Sequence, residues 1–231
     1  MNTPLKELPK VYVSLTGWDY PSFLSKLEEI KKLGITEACV FLTTMPPEKH
    51  QEFFKELLTS GIKYIPLVHL REENTSQDIE FFKKNYDTEY FVIHDMLLDR
   101  LEQFEPYLKN LFLENHVRTP VNKLGLEKLG GFCIDLNHLQ TAKRLNNPEY
   151  EQVMEYKDTD KFKCNHLSGY REGAKGHEIE TENDFEYIKE LPNFVLGEVI
   201  AIELMDSIET QLKMKKHAED IIKEKLSLSN N

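Results

Sequence analysis

Residues 11–42 read VYVSLTGWDYPSFLSKLEEIKKLGITEACVFL and contain a complete strand, helix and second strand. Residues 11–15 form a short β-branched run, the signature of a buried strand. Phe23, Leu24, Leu27, Ile30 and Leu33 then fall on one helical face and stop at Gly34, a residue suited to ending a helix. A second strand follows at 38–42. Working outward, Phe53, Phe54, Leu57 and Leu58 mark another helix before Gly61, and 64–70, 90–93, 111–113, 132–134, 162–166 and 199–204 read as further strands. Helical or irregular segments separate them. Eight such strands in one chain predict a single-domain (β/α)₈ TIM barrel with a parallel eight-stranded sheet. The rival is an open doubly wound sheet, and it lacks its usual support because no GxGxxG turn follows the first strand. No linker, repeat or low-complexity tract divides the chain, so residues 1–231 read as one domain with a core at about 11–225. Residues 207–225 read as a closing helix, and 227–231 as its frayed end.

The 231 residues carry 40% hydrophobic side chains, enough to bury a full core. Forty acidic against 29 basic residues give a net charge of −11, which repels a phosphate backbone and disfavours broad nucleic-acid affinity. The opening MNTPLKELPK lacks the apolar core of an export signal, and no apolar run has the length of a membrane helix. Cys39, Cys133 and Cys164 form no CxxC pair and leave one thiol over in any disulfide scheme. These features together predict a cytoplasmic protein away from membranes.

In a barrel of this type the chemistry gathers where the C-terminal strand ends and their loops converge on one mouth. The predicted strands end in His69 and Arg71, in His94, in Glu114, in Asp135 with His138 close behind, in His166, and in Glu203. His177 lies in the long loop that follows. Taken singly, a histidine or glutamate after a strand is an ordinary loop or capping residue. Their coincidence at successive strand ends is what points to a shared centre. Imidazole mixed with carboxylate suits zinc, manganese, cobalt or iron, with magnesium also open, whereas oxygen-only sets suit magnesium or calcium. Glu114, Asp135, His166 and Glu203 are the primary expected metal ligands. His69, His94, His138 and His177 are expected to bind substrate or an additional metal, and Arg71 and Arg171 to hold an anionic or hydroxylated substrate. Trp18, His50, His116 and His217 are left outside the site as packing or solvent-facing residues.

These segments resemble the xylose isomerase-like TIM-barrel superfamily of sugar phosphate isomerases, epimerases and endonuclease IV-type enzymes. The resemblance spans most of the chain and is carried by Leu113-Glu114-Asn115, Ile134-Asp135-Leu136-Asn137-His138, His166-Leu167-Ser168, Gly176-His177-Glu178-Ile179 and Ile202-Glu203. It implies a metal-dependent isomerase or epimerase acting on a small polyol, sugar or sugar phosphate. Glu114 and Glu203 would then be ligands and the proton-exchanging pair, and Asp135 and His166 ligands. The endonuclease IV-type relatives imply an alternative, a zinc phosphodiesterase that uses His69, His94, His138 and His177 as well. Lys175 departs from that pattern, because those relatives place a liganding aspartate there. A non-catalytic binding barrel is the third reading. A local basic rim would still admit nucleic acid, a homo-oligomer stays open, and substrate identity does not follow from short motifs.

Overall fold

The computed structural model describes residues 8–171 and 176–228. Its strands are β1 (Lys10–Tyr12), β2 (Ser14–Leu15), β3 (Cys39–Phe41), β4 (Leu67–His69), β5 (Tyr90–Ile93), β6 (Leu111–Glu114), β7 (Gly131–Asp135), β8 (Phe162–Leu167) and β9 (Val199–Ile202). All pair in parallel, in the order β1-β9-β8-β7-β6-β5-β4-β3-β2. Val13 alone separates β1 from β2, and its carbonyl accepts a hydrogen bond from Cys39 N at 2.9 Å. One extended stretch therefore pairs with β9 along its first half and with β3 along its second. That closes the sheet, so the nine segments serve as the eight staves of a TIM barrel.

Among the described residues, seven α-helices flank the barrel: α1 (Tyr20–Leu33), α2 (His50–Leu58), α3 (Ser76–Tyr86), α4 (Lys123–Lys128), α5 (Leu136–Arg144), α6 (Pro148–Met154) and α7 (Ile208–Leu228). Helix α1 begins where the sequence allows it. Asp19 caps it by accepting from Ser22 N, Pro21 occupies the first turn, and Gly34 ends it at φ 66°, a left-handed conformation that glycine adopts without strain. The β5–β6 and β8–β9 connections carry 3₁₀ segments, Asp95–Phe104 and Glu182–Glu190, in place of full α-helices. The closing helix runs further than expected. Ser227 and Leu228 belong to its last turn, and the remainder of the segment expected to fray lies outside the described residues.

Two apolar layers follow from the period-two alternation of strand side chains. Val11, Val40, Val68, Phe91, Leu113, Ile134 and Ile200 face the helices. Tyr12, Phe41, Leu67, Val92, Phe112, Cys133, Cys164 and Ala201 fill the interior of the barrel. Two residues further along these inward rows stand His69, His94, Glu114, Asp135, His166 and Glu203. The same alternation that packs the barrel thus aims each of those side chains at the axis, one layer above an apolar floor.

The barrel seam is locked by polar groups. Gln211 of α7, fully buried, accepts from Ser14 N at 2.7 Å and donates to Ser14 O at 3.2 Å and Leu204 O at 3.1 Å. Lys26 of α1 donates to the same Leu204 carbonyl at 2.6 Å, and the Ser14 hydroxyl donates to Ile202 O. Among the described residues, no helix is long and apolar enough to cross a membrane. All three cysteines are buried free thiols.

Candidate metal centre

Glu114, the last residue of β6, is the hub of the mouth. Its Oε2 lies 3.3 Å from His69 Nε2 and 3.0 Å from His94 Nε2. Its Oε1 lies 3.5 Å from His166 Nδ1 and 3.7 Å from His138 Nδ1. On the far side, His166 Nδ1 is 3.8 Å from Glu203 Oε2, and His138 Nδ1 is 3.8 Å from Asp135 Oδ2. Three overlapping groups each bring one ligand atom per residue within 4.8 Å: His69, Glu114 and His166; Glu114, Asp135 and His138; Asp135, His166 and Glu203. A tetrahedral ion with ligand bonds of about 2.1 Å needs its ligand atoms roughly 3.4 Å apart, and the nearest pairs here, at 3.0 to 3.8 Å, bracket that spacing.

The donors are also unsatisfied. Both ring nitrogens of His69 and of His166, together with Glu114 Oε2 and Asp135 Oδ2, are buried without a hydrogen-bond partner. Buried polar atoms left unpaired cost free energy, and a bound cation would satisfy one donor atom from each of these residues. The residues present therefore fit a divalent metal, as imidazole and carboxylate donors should.

Backbone hydrogen bonds fix this set. Asp135 has two roles: Oδ1 accepts from His138 N at 2.8 Å and caps α5, while Oδ2 remains for the centre. Asn115 accepts from Asp135 N at 2.7 Å and donates to Asp135 O at 3.4 Å, a reciprocal clamp between β6 and β7. His138 Nδ1 lies 3.0 Å from Asn115 O, a contact that places the proton on Nδ1 and leaves Nε2 free. Phe41 packs beneath, its ring 4.7 Å from that of His166 and 5.7 Å from that of His69.

Electrostatics divide the two glutamates. Burial alone raises the Glu114 carboxyl, but His166 and His69 beside it outweigh burial and hold it well below the usual carboxylate range. Glu203 is pushed well above that range by burial, reinforced by Glu114 and Asp135. Burial drives His69 well below the ordinary imidazole value. In His94 burial is overcome by the Glu114 carboxylate beside it, and in His138 by Asp135 and Glu114, so both rise. Carboxylates this close cannot all ionise in a buried mouth without a compensating cation.

The remaining residues singled out by sequence are distributed as follows. His177 stands on the rim, with Nδ1 3.9 Å from Glu203 Oε1 and its ring against Trp18. Arg71 is tied to the carbonyls of Thr43 and Met45 at 2.8 and 3.0 Å and to Glu73 at 3.0 Å. Arg171 pairs with Glu180 and with Asp184 at 3.3 Å. Both guanidinium groups are engaged in holding loops. Lys175 lies outside the described residues. His50 is buried against Asn74, and His217 lies 3.5 Å from Glu186, both away from the mouth. Two residues left outside the site stand at it. His116 stacks between His94, at 5.1 Å, and His138, at 6.1 Å, and faces Asp95 at 3.7 Å. Trp18 is the other. His116 sits two residues past Glu114, on the inward row of β6, and that offset is the signal that could have found it.

No family model matches the chain, and no curated protein does. Solved structures do. The crystal structure of SacUVDE is 14% identical, with a TM-score of 0.55 over 94% of this chain and 98% of that one. An uncharacterized protein from Parabacteroides distasonis is 16% identical, with a TM-score of 0.51 over 93% of this chain and 98% of that one. At these identities the likeness establishes a shared TIM-barrel fold across nearly the whole length of all three.

Proposed function

We propose that the mouth would hold two divalent ions, with Glu114 contributing to both donor sets, and that the protein is a metal-dependent hydrolase of phosphate esters, within the xylose isomerase-like group of barrels. The observation that carries this is the division of the Glu114 carboxylate. One oxygen faces His69 and His94, and the other faces His166 and His138, so a single residue serves two donor sets. His69, His94 and Glu114 would hold one ion, and Glu114, Asp135, His166 and Glu203 the other. Such a pair supplies Lewis-acid polarisation of a phosphoryl oxygen and a water nucleophile at neutral pH.

The chain's own groups do the rest. Asn115 and the α5 cap hold Asp135 in place. His138 and His177 stand at the rim, where their Nε2 atoms would hold phosphoryl oxygens or return a proton to the leaving oxygen. The net charge of −11 fits a small phosphate ester better than a long polyanion. Chelator-treated protein is expected to cleave bis(p-nitrophenyl) phosphate only after zinc or manganese is restored.

The isomerase reading keeps one specific support. Glu114, whose carboxyl is held low by its histidines, and Glu203, whose carboxyl is pushed up by burial, both lie near His166 Nδ1 and form the unequal pair that proton exchange at a sugar carbon requires. Incorporation of deuterium from D₂O into a carbon of D-fructose, without phosphodiester cleavage, would establish it over the hydrolase. A barrel that binds no divalent ion would be the non-catalytic form.

A further inference from the structure

Trp18 is the chain's single tryptophan, and it stands 55% exposed. It follows β2 at the C-terminal face of the barrel, in the short turn before α1. Its one ring contact among the described residues is with His177, at 6.4 Å between centroids and 86° between planes. His177 in turn lies 3.9 Å from the Glu203 carboxylate. The indole is therefore one side chain removed from the metal-ligand set.

The turn is built to hold the indole there. Thr44 donates its hydroxyl proton to the Gly17 carbonyl, and Asp19 immediately after Trp18 is fixed as the cap of α1. Gly17 cannot be replaced cheaply, since a Cβ there would lie 2.6 Å from Cβ of Ser22. An aromatic ring anchored on both sides by hydrogen-bonded backbone, yet left open to water, loses little entropy when a ligand covers it. With 55% of Trp18 exposed and a single ring contact among the described residues, 6.4 Å away, much of the indole is open to solvent, and a π-face recognises another planar ring by stacking.

The geometry points to Trp18 as a stacking platform for a nucleobase, so that the phosphate ester taken by this mouth is a nucleotide or the end of a short oligonucleotide. This deepens the phosphate-ester reading above and rests on it for the phosphate. The base contact itself needs only Trp18.

The single indole makes the test direct. Zinc-loaded full-length protein is titrated with adenosine 5′-monophosphate and with ribose 5-phosphate, which shares the sugar and phosphate but lacks the base. Saturable quenching of tryptophan emission by the nucleotide is expected, with affinity at least about fivefold above that of ribose 5-phosphate, as one stacked base provides. Calorimetry on Trp18→Leu should show that preference gone, and on Trp18→Phe largely kept. Equal affinities for the two ligands, or a preference that survives Trp18→Leu, would overturn the proposal. A parallel titration of chelator-treated protein with adenosine and ribose separates the two ideas. Selective quenching by adenosine there supports the stacking role even if the metal centre fails, and its absence beside an intact metal centre removes the stacking role alone.

Discussion

Glu114 is the residue on which the mouth depends, because four imidazoles converge on its two oxygens. Lys26 shows a different consequence of burial. It is 4% exposed, its ammonium donates to Leu204 O next to Glu203, and burial lowers it from 10.5 to about 8, against the opposing pull of Asp206 and Glu29. The unfolded chain then binds the lysine proton more tightly than the folded one, so stability should rise with pH between about 8 and 10.5. The full gain is on the order of 3 kcal/mol. Urea unfolding of the wild type and of Lys26→Met across that window checks the sign: the wild type should gain on the variant as pH rises. A gap that stays constant would show that the ammonium is not penalised.

At the scale of elements, α5 begins on a residue of the candidate centre, so helix stability and side-chain geometry there are joined at Asp135. Asp135→Asn and Asp135→Ala both remove the charge, but only asparagine keeps a side-chain oxygen to accept from His138 N. In metal-free protein the alanine variant should be less stable than the asparagine variant by about 1 kcal/mol, the usual value of an N-cap. Equal denaturation midpoints would mean that the cap contributes nothing. The strands were readable because both of their faces are buried, so each appears as an unbroken apolar run. The inward-facing donors were readable because each stands two positions beyond an inward residue such as Phe112, Cys164 or Ala201. Arg71 and Arg171 illustrate what a sequence conceals. Their carbonyl and carboxylate partners come from chain positions as remote as Thr43 and Asp184, and only the folded loops bring them together. Trp18 and His116 were passed over for the converse reason. An exposed aromatic and a histidine in a turn look ordinary until the neighbouring loops place His177 and His94 beside them.

For the whole molecule, the parallel sheet closes through one extended stretch that pairs with β9 and then β3, and α7 seals that seam with Gln211. Closure is what turns residues spread from His69 to Glu203 into a single ring of donors. The barrel was legible from its alternating grammar alone. What the alternation could not show is that Glu114 faces two donor sets at once, because the side to which each carboxylate oxygen turns depends on rotamers set by the packed neighbours. That difference shifts weight from a one-ion isomerase to a two-ion hydrolase. Counting metal ions per chain by elemental mass spectrometry, after zinc reconstitution and removal of loosely held metal, tests it most directly. The bridged centre predicts two ions in the native protein and no more than one in Glu114→Gln, whereas a single ion per native chain would contradict it.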